Sequence, residues 1–280
     1  MLVSFASVEF YEAQHHLVES AKPFVDGYLC YRDVDLPRSF LRRIARHLQD
    51  DRAFGYWAWK PWVIFDALGR LDDGDLLFYA DSGNVVLADL APLFELCASS
   101  ESGIVLFDNQ DGSPDGALWK NGMWTRGDCF ALMDATGAEF VDGLQVTAGY
   151  IVVEKRPSTV SFIRKFLAAC ENYQIISDAP STLLPNAPNF VDHRHDQSVL
   201  SILAVKNGIE LERAPCQHAD DIAVPPRRRP YPQLFDHHRR AYYLPRETPA
   251  AQTLLRRARR RATMRRLATI PKRVTWTTAP

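Results

Sequence analysis

Four stretches of this sequence concentrate side chains that could do chemistry. The first is LLFYADSG, an apolar run from Leu76 that ends in Asp81, Ser82 and Gly83. In open α/β sheets ligands bind beyond the carboxyl ends of the strands, so a strand here sets one carboxylate on the rim. Gly83 lets a ligand approach the backbone. A diphosphate at such a place needs positive charge, usually a divalent metal held by carboxylates and phosphate oxygens. A strand-end Asp that only caps a turn is the ordinary alternative, and Asp81 by itself does not displace it.

The second stretch is FGYWAWKPW, where three Trp and Tyr56 surround Lys60. Aromatic clusters are most often core, yet packing does not ask for a Lys between Trp59 and Trp62. A Lys at a helix N-terminus puts a fixed positive charge beside backbone donors, which suits phosphate, and the rings can stack on a base or a sugar. The third is HRHDQS, from His193 to Ser198. Asp196 reads as an N-cap or first-turn acid of a helix whose Val199, Leu200 and Leu203 are core, but two His, Arg194, Asp196 and Gln197 are dense functionality for a cap. The fourth is DHHRR, from Asp236 to Arg240. It reads as a solvated basic turn, or as the source of His237 or His238 for a metal site begun at Asp81.

The elements that must hold these residues follow from periodicity. Leu2–Val8, Gly27–Tyr31, Leu76–Ala80, Gly103–Asn109 and Gln145–Lys155 are short apolar runs of strand length. Helices are expected around Leu17, Val18 and Ala21, from Pro37 through Phe40, Leu41, Ile44 and Leu48, and across Val63–Leu68 behind Pro61. Three more are expected over Asp128–Ala135, Ser158–Tyr173 and Asp196–Lys206. Alternating strands and helices imply an α/β domain with a mainly parallel sheet and helices on both faces. Residues 177–192, with Pro180, Pro185 and Pro188, read as an irregular loop, and 214–248 as a Pro- and Arg-rich surface segment.

Bulk properties narrow the class. The chain has 280 residues and a formal net charge of −1, which argues against a polyanion-binding body. Basic residues crowd the last quarter, so a near-neutral domain over 1–248 followed by a basic, helical tail over 249–280 is expected. That tail could rest on an anionic membrane surface. It carries no nucleic-acid-binding motif, so nucleic acid is not an expected partner. Five scattered Cys without a CxxC pair fit reduced thiols. No apolar run reaches the roughly 18 residues of a membrane span. A cytoplasmic protein, peripheral at the inner membrane face at most, is expected.

Taken together, GYWAWKP, the strand into DSG, WTRGDCF, QVTAG, HRHDQS and DHHRR resemble, in order and spacing, a family of bacterial GT-A glycosyltransferase-like proteins that accompany surface-polysaccharide genes. The likeness runs from Leu2 to about Arg240, and is distantly similar to retaining galactosyltransferase and glycogenin-type enzymes. It implies a Rossmann-like GT-A fold and transfer of a hexose from a nucleoside-diphosphate sugar, UDP-linked for instance, to a hydroxyl of a glycan or lipid-linked glycan. By this resemblance Asp196 and Gln197 are the catalytic candidates. Ser7, Tyr56, Trp59, Lys60, Asp81, Ser82, Gly83 and His195 face the donor, with Lys60 on its phosphates or sugar. Asp81, His237 and His238 are the candidate ligands of manganese or magnesium. The DxD motif stands here as Asp-Ser-Gly and lacks its second carboxylate. That puts metal use in question, and makes a non-catalytic scaffold that binds nucleotide-sugar or glycan the alternative.

Overall fold

The computed structural model describes residues 1–50, 52–109, 119–217 and 231–241. The proposed basic tail over 249–280 lies outside the described residues. Six strands form the main sheet: β1 Leu2–Ala6, β2 Tyr28–Arg32, β3 Leu76–Ala80, β5 Ile104–Asp108, β6 Val146–Glu154 and β7 Leu211–Glu212. Their order is β2-β1-β3-β6-β5-β7. β1 pairs in parallel with β2 and β3, and β5 with β7, while β6 runs antiparallel to both of its neighbours. The sheet is thus mostly parallel, as expected, and the reversal of β6 has a consequence for the site. It brings the amino end of β6, not its carboxyl end, to the rim where β1 and β3 finish.

Alternation along the strands separates two cores. Val3 and Phe5 of β1, Leu77 and Tyr79 of β3 and Ile151 and Val153 of β6 face one layer. That layer holds three helices: α2 Trp59–Leu68, α5 Pro157–Cys170 and α6 Asp196–Lys206. Leu2, Phe78 and Val152 face the other layer, with α1 Tyr11–Ala21 and α3 Ala91–Ser99. α2 forms because Val63, Ile64, Ala67 and Leu68 recur on one face and all are buried, and Pro61 falls in its first turn, where a missing N–H is harmless. α5 repeats the pattern with Phe162, Ile163, Phe166, Leu167 and Cys170. It stops three residues before its expected end, because the Asn172 side chain caps a new short helix at Gln174 N, 3.0 Å away.

Two places depart from the expected elements. The helix expected from Pro37 through Leu48 breaks after Arg43 and resumes as a 3₁₀ turn at His47–Gln49. His47 Nε2 bonds the Cys170 carbonyl at the end of α5, at 3.1 Å, and draws the chain out of helical register. Between this turn and α2, five successive residues have positive φ: Ala53 47°, Phe54 51°, Gly55 81°, Tyr56 59° and Trp57 58°. A left-handed turn of L-residues costs roughly 1–2 kcal/mol per residue, so surrounding contacts must hold it. Tyr56 Oη donates to Asp50 Oδ2 at 2.8 Å, and the Trp57 ring stacks on His195 at 5.4 Å. A separate two-stranded ribbon pairs β4 Asn84–Val86 with β8 Phe235–His237, antiparallel, with Asn84 opposite His237.

The irregular loop over 177–192 is fastened by α4, Gly127–Leu132. A Cβ at Gly127 would lie 1.9 Å from the Leu184 carbonyl oxygen, so only glycine permits this approach. The next residue, Asp128, accepts from the amides of Thr182 at 2.9 Å, Leu183 at 2.7 Å and Leu184 at 3.1 Å. Burial raises its pKa, but these amide bonds outweigh burial and hold it below the ordinary carboxylate range. An Asp with a lowered folded pKa contributes stability above its unfolded pKa of about 3.9 and loses it as pH falls through the folded value. Asp128→Asn should therefore lower Tm by several degrees at pH 7 and shrink that difference below about pH 4. Thermal melts of the two proteins from pH 3 to pH 7 check this.

Candidate active site

One cavity of about 930 Å³ opens at the rim formed by the carboxyl ends of β1 and β3 and the amino end of β6. Its walls include Ser7, Trp59, Lys60, Asp81, Ser82, Gly83, His195, Asp196, Gln197, His237 and Arg239. Residues far apart in sequence thus meet at the place the topology of the sheet provides. Tyr56 and His238 are not part of the lining. Tyr56 turns to Asp50, and His238 Nδ1 accepts from the Arg240 amide at 3.1 Å. Burial and the charge of Arg240 push the His238 imidazole down to about 4.

The floor of the cavity is an ion cluster. Lys60 is 2% exposed. Its Nζ donates to the Ala148 carbonyl at 2.9 Å and lies 2.7 Å from Asp196 Oδ2 and 3.3 Å from Asp81 Oδ1. An ammonium has three N–H donors, and three acceptors surround this one. Burial pulls the Lys60 pKa down, but Asp196 and Asp81 outweigh it and leave it above the ordinary value. Burial pushes the Asp196 carboxyl up to about 6 although Lys60 opposes the rise, and Asp81 adds to it. Asp81 also accepts from Tyr79 Oη at 2.6 Å. Lys60 therefore serves the two carboxylates, with no N–H directed to a phosphate. Gln197, the next residue of α6, reaches back to β6, where the Ala148 amide donates to its Oε1 at 3.4 Å.

Aromatic rings and imidazoles form the walls above the floor. Phe5 of β1 stacks on Trp59 at 3.8 Å, and His195 lies between Trp57 and Tyr56, at 5.4 and 5.0 Å. His195 sits just before α6 at φ 54°, ψ −119°, a conformation that costs of order 1–3 kcal/mol and persists only when its surroundings over-determine it. Here Nδ1 bonds the Ile176 carbonyl at 2.9 Å. Burial holds its pKa below the ordinary histidine value despite the nearby Asp178.

The proposed metal ligands meet a different arrangement. His237 Nε2 accepts from Arg239 Nε at 2.7 Å, and His237 Nδ1 lies 2.8 Å from Asn84 Oδ1. Only one tautomer satisfies both bonds: Nδ1 carries the proton, and the Nε2 lone pair is spent on the guanidinium. The Asn84 amide group in turn donates to the Asp81 carbonyl at 2.8 Å. Asp81 Oδ1 is taken by Tyr79 Oη and Lys60, and the His237 Nε2 lone pair meets Arg239 Nε. Among the described residues no group of three or more His, Cys, Asp and Glu is placed to hold a metal ion. The described side chains do not by themselves complete a divalent-cation site. Asn109 on the cavity wall and Asn84, bonded to His237, were not singled out from sequence, whereas Trp57 belongs to the aromatic stretch around Lys60. Asn84 carries no signal of its own, since its value lies in being opposite His237 in the ribbon.

Comparisons with known proteins give structural likeness only. No family model and no curated protein sequence matches the chain. Solved structures similar to it include the apo form of the glycosyltransferase GlyE of Streptococcus pneumoniae TIGR4, at 15% identity and TM-score 0.40, over 89% of this chain and 55% of that one. Mouse xyloside xylosyltransferase 1 aligns at 7% identity and TM-score 0.46, over 87% of this chain and 99% of that one. An active-site mutant of LgtC aligns at 13% identity and TM-score 0.42, over 97% of each. The chain spans about 55% of the length of GlyE.

The buried cluster makes a direct prediction. Removing one partner of a buried ion pair costs about 3–5 kcal/mol because the remaining charge is left uncompensated. Lys60→Met should be destabilised by about that amount in urea titrations, and adding Asp196→Asn to it should recover part of the loss. A Lys60→Met protein as stable as the wild type would show that the cluster is not a structural keystone.

Proposed function

We propose that this chain is a glycosyltransferase, moving a sugar from a nucleoside-diphosphate donor to a hydroxyl of a glycan acceptor. The observation that carries this reading is the electrical polarity of one cavity. At its floor, two carboxylates and one ammonium leave a net negative charge, through Asp81, Lys60 and Asp196. Arg52, Arg194 and Arg239 add cationic side chains to its wall. A sugar nucleotide has the complementary polarity. Its anomeric carbon becomes cationic as the glycosidic bond breaks, while its diphosphate leaves as an anion. The size of the cavity lies within the range of small-molecule sites, and the stacked Phe5 and Trp59 give it an apolar flank for a planar base or a sugar face.

In this reading the residues divide the work. Asp81, the more exposed carboxylate with 29% of its side chain accessible, meets the sugar or acceptor hydroxyls. Asp196 is 4% exposed and acts by fixing Lys60 and deepening the negative potential. Gln197, half-buried on the wall, offers an amide to the sugar beside the anomeric carbon. Ser7, at the end of β1, lies on the flank where a base would sit. Among the described residues no helix is long and apolar enough to cross a membrane. The lipid-linked acceptor and the anionic membrane contact through 249–280 rest on composition alone and remain part of this proposal.

The test is hydrolysis and transfer with a panel of nucleotide sugars. Asp196→Asn should lower turnover by about a hundredfold or more, with a smaller effect on donor binding. Asp196 carries a folded pKa of about 6 and must be ionised to keep the floor negative. Wild-type turnover should therefore fall as pH drops below about 6, and Asp196→Asn should lose that acidic limb. Binding of a nucleotide sugar without any release of sugar would instead identify a non-catalytic scaffold.

A further inference from the structure

We propose that His195 is the base of the transfer: its Nε2 takes the proton of the acceptor hydroxyl as that oxygen attacks the anomeric carbon. The proposal rests on the sugar-nucleotide reading of the cavity and adds to it the group that activates the acceptor. As the O–H bond breaks, its electron pair stays on oxygen and forms the new bond to the anomeric carbon. The old bond to the diphosphate breaks, and its pair departs with the diphosphate. The proton rests on Nε2 until the leaving diphosphate or solvent takes it. Such a base needs an unspent lone pair at the cavity. Asp196 Oδ2 meets Lys60 at 2.7 Å. Asp81 gives Oδ1 to Tyr79 and Lys60, and its other oxygen is the one left for the sugar hydroxyls. His237 is engaged through Nδ1 by Asn84 and through Nε2 by Arg239. His193, packed edge-on against His195, bonds the Ile175 carbonyl through Nε2 at 3.0 Å and accepts from the Arg126 amide at Nδ1, 3.3 Å away.

Four features set His195 apart. First, its tautomer is fixed. The Ile176 carbonyl, 2.9 Å from Nδ1, can only accept, so Nδ1 carries the proton and Nε2 the lone pair. Second, that lone pair has no hydrogen-bond partner, although the residue is 2% exposed and lines the cavity. A buried acceptor left unpaired is destabilising, and a substrate hydroxyl is the kind of donor that satisfies it. Third, Asp178 Oδ1 lies 3.7 Å from Nδ1, where a carboxylate steadies the positive charge that arises on the ring once Nε2 is protonated. Fourth, the backbone of His195 is strained, at φ 54° and ψ −119°, and strain of this kind gathers at functional positions. Burial holds the imidazole below the ordinary histidine range, so the lone pair is present at neutral pH. Nε2 is also closed off from bulk water. Water therefore does not compete for it, and the contacts of such bases tighten in the complex with substrate. His195, Asp196 and Gln197 are consecutive and all line the cavity, so the base stands one residue from the negative floor.

Two substitutions separate the chemistry from the architecture. Asn tolerates positive φ, and its amide nitrogen can still donate to the Ile176 carbonyl, but it offers nothing at the position of Nε2. His195→Gly relaxes the backbone and leaves a ring-sized space that added imidazole can fill. We would give the full chain UDP-glucose, UDP-galactose, ADP-glucose and GDP-mannose, and measure calorimetric binding, nucleotide release and Tm. The configuration of the released sugar would be read by NMR before it mutarotates. The wild type should release sugar of inverted configuration, since a base on the attacking oxygen serves a single direct displacement. His195→Asn should lose about a hundredfold or more in kcat, with donor affinity and Tm close to those of the wild type. Imidazole should restore turnover to His195→Gly and leave His195→Asn unchanged. Release with retained configuration, or wild-type kcat in His195→Asn, would overturn the base while leaving the donor reading in place. So would donor binding with no turnover in the wild type. Absence of binding of all the nucleotide sugars would overturn the donor reading and the base with it.

Discussion

The rest of the structure depends on the burial of one ammonium. Lys60 arrives on the first turn of α2, Asp81 on the end of β3, Asp196 on the first residue of α6 and the Ala148 carbonyl on the amino end of β6. Four separate elements are therefore drawn to a point by a charge that cannot be left alone inside a protein. A hydrophobic cluster of the same size would hold these elements together equally well, but it would tolerate sliding. Ion pairs at 2.7 and 3.3 Å do not, so the cost of burying three charges is recovered as fixed geometry at the rim of the sheet.

A second economy lies in the glycines and the reversed strand. Because β6 runs against its neighbours, its opening residues, not a loop, form part of the cavity wall, and Ala148 and Gly149 present backbone groups there. Gly149 and Gly83 then let the ribbon of β4 and β8 close against the sheet. The outcome is one stretch of wall where main chain approaches closely and His237 and Arg239 are set by hydrogen bonds.

The sequence was informative where local pattern decides structure. The strand Leu76–Ala80 and the helix Asp196–Lys206 have the same bounds in structure as in the reading from apolar periodicity, because each is a compact run with a clear stop. The mostly parallel α/β class followed from the same alternation. What could not be read was set by partners distant in the chain. Nothing in the residue types of Ala53–Trp57 announces a left-handed turn, since its hand is imposed by Asp50 and His195. Lys60 was legible as a residue out of place among tryptophans, but not as one already enclosed by two carboxylates. Likewise DHHRR showed two histidines of equal standing. Only the pairing of β8 with β4 separates them, turning His237 to Asn84 and the cavity, and His238 away from it.

That pairing also sets an order of events. The ribbon joins Asn84–Val86 to Phe235–His237, a contact that closes a very long loop, and contacts of that kind form late because their entropy must be met before they reward the chain. During vectorial synthesis the floor of the cavity can assemble as soon as α6 has emerged, since Lys60, Asp81, Ala148 and Asp196 are all present by then. The wall that His237 and Arg239 contribute cannot. Until the Phe235–His237 strand has been made and folded back onto Asn84–Val86, the cavity lacks the part of its wall that His237 and Arg239 line. That side of the cavity is therefore finished only by the last of the described segments to be synthesised.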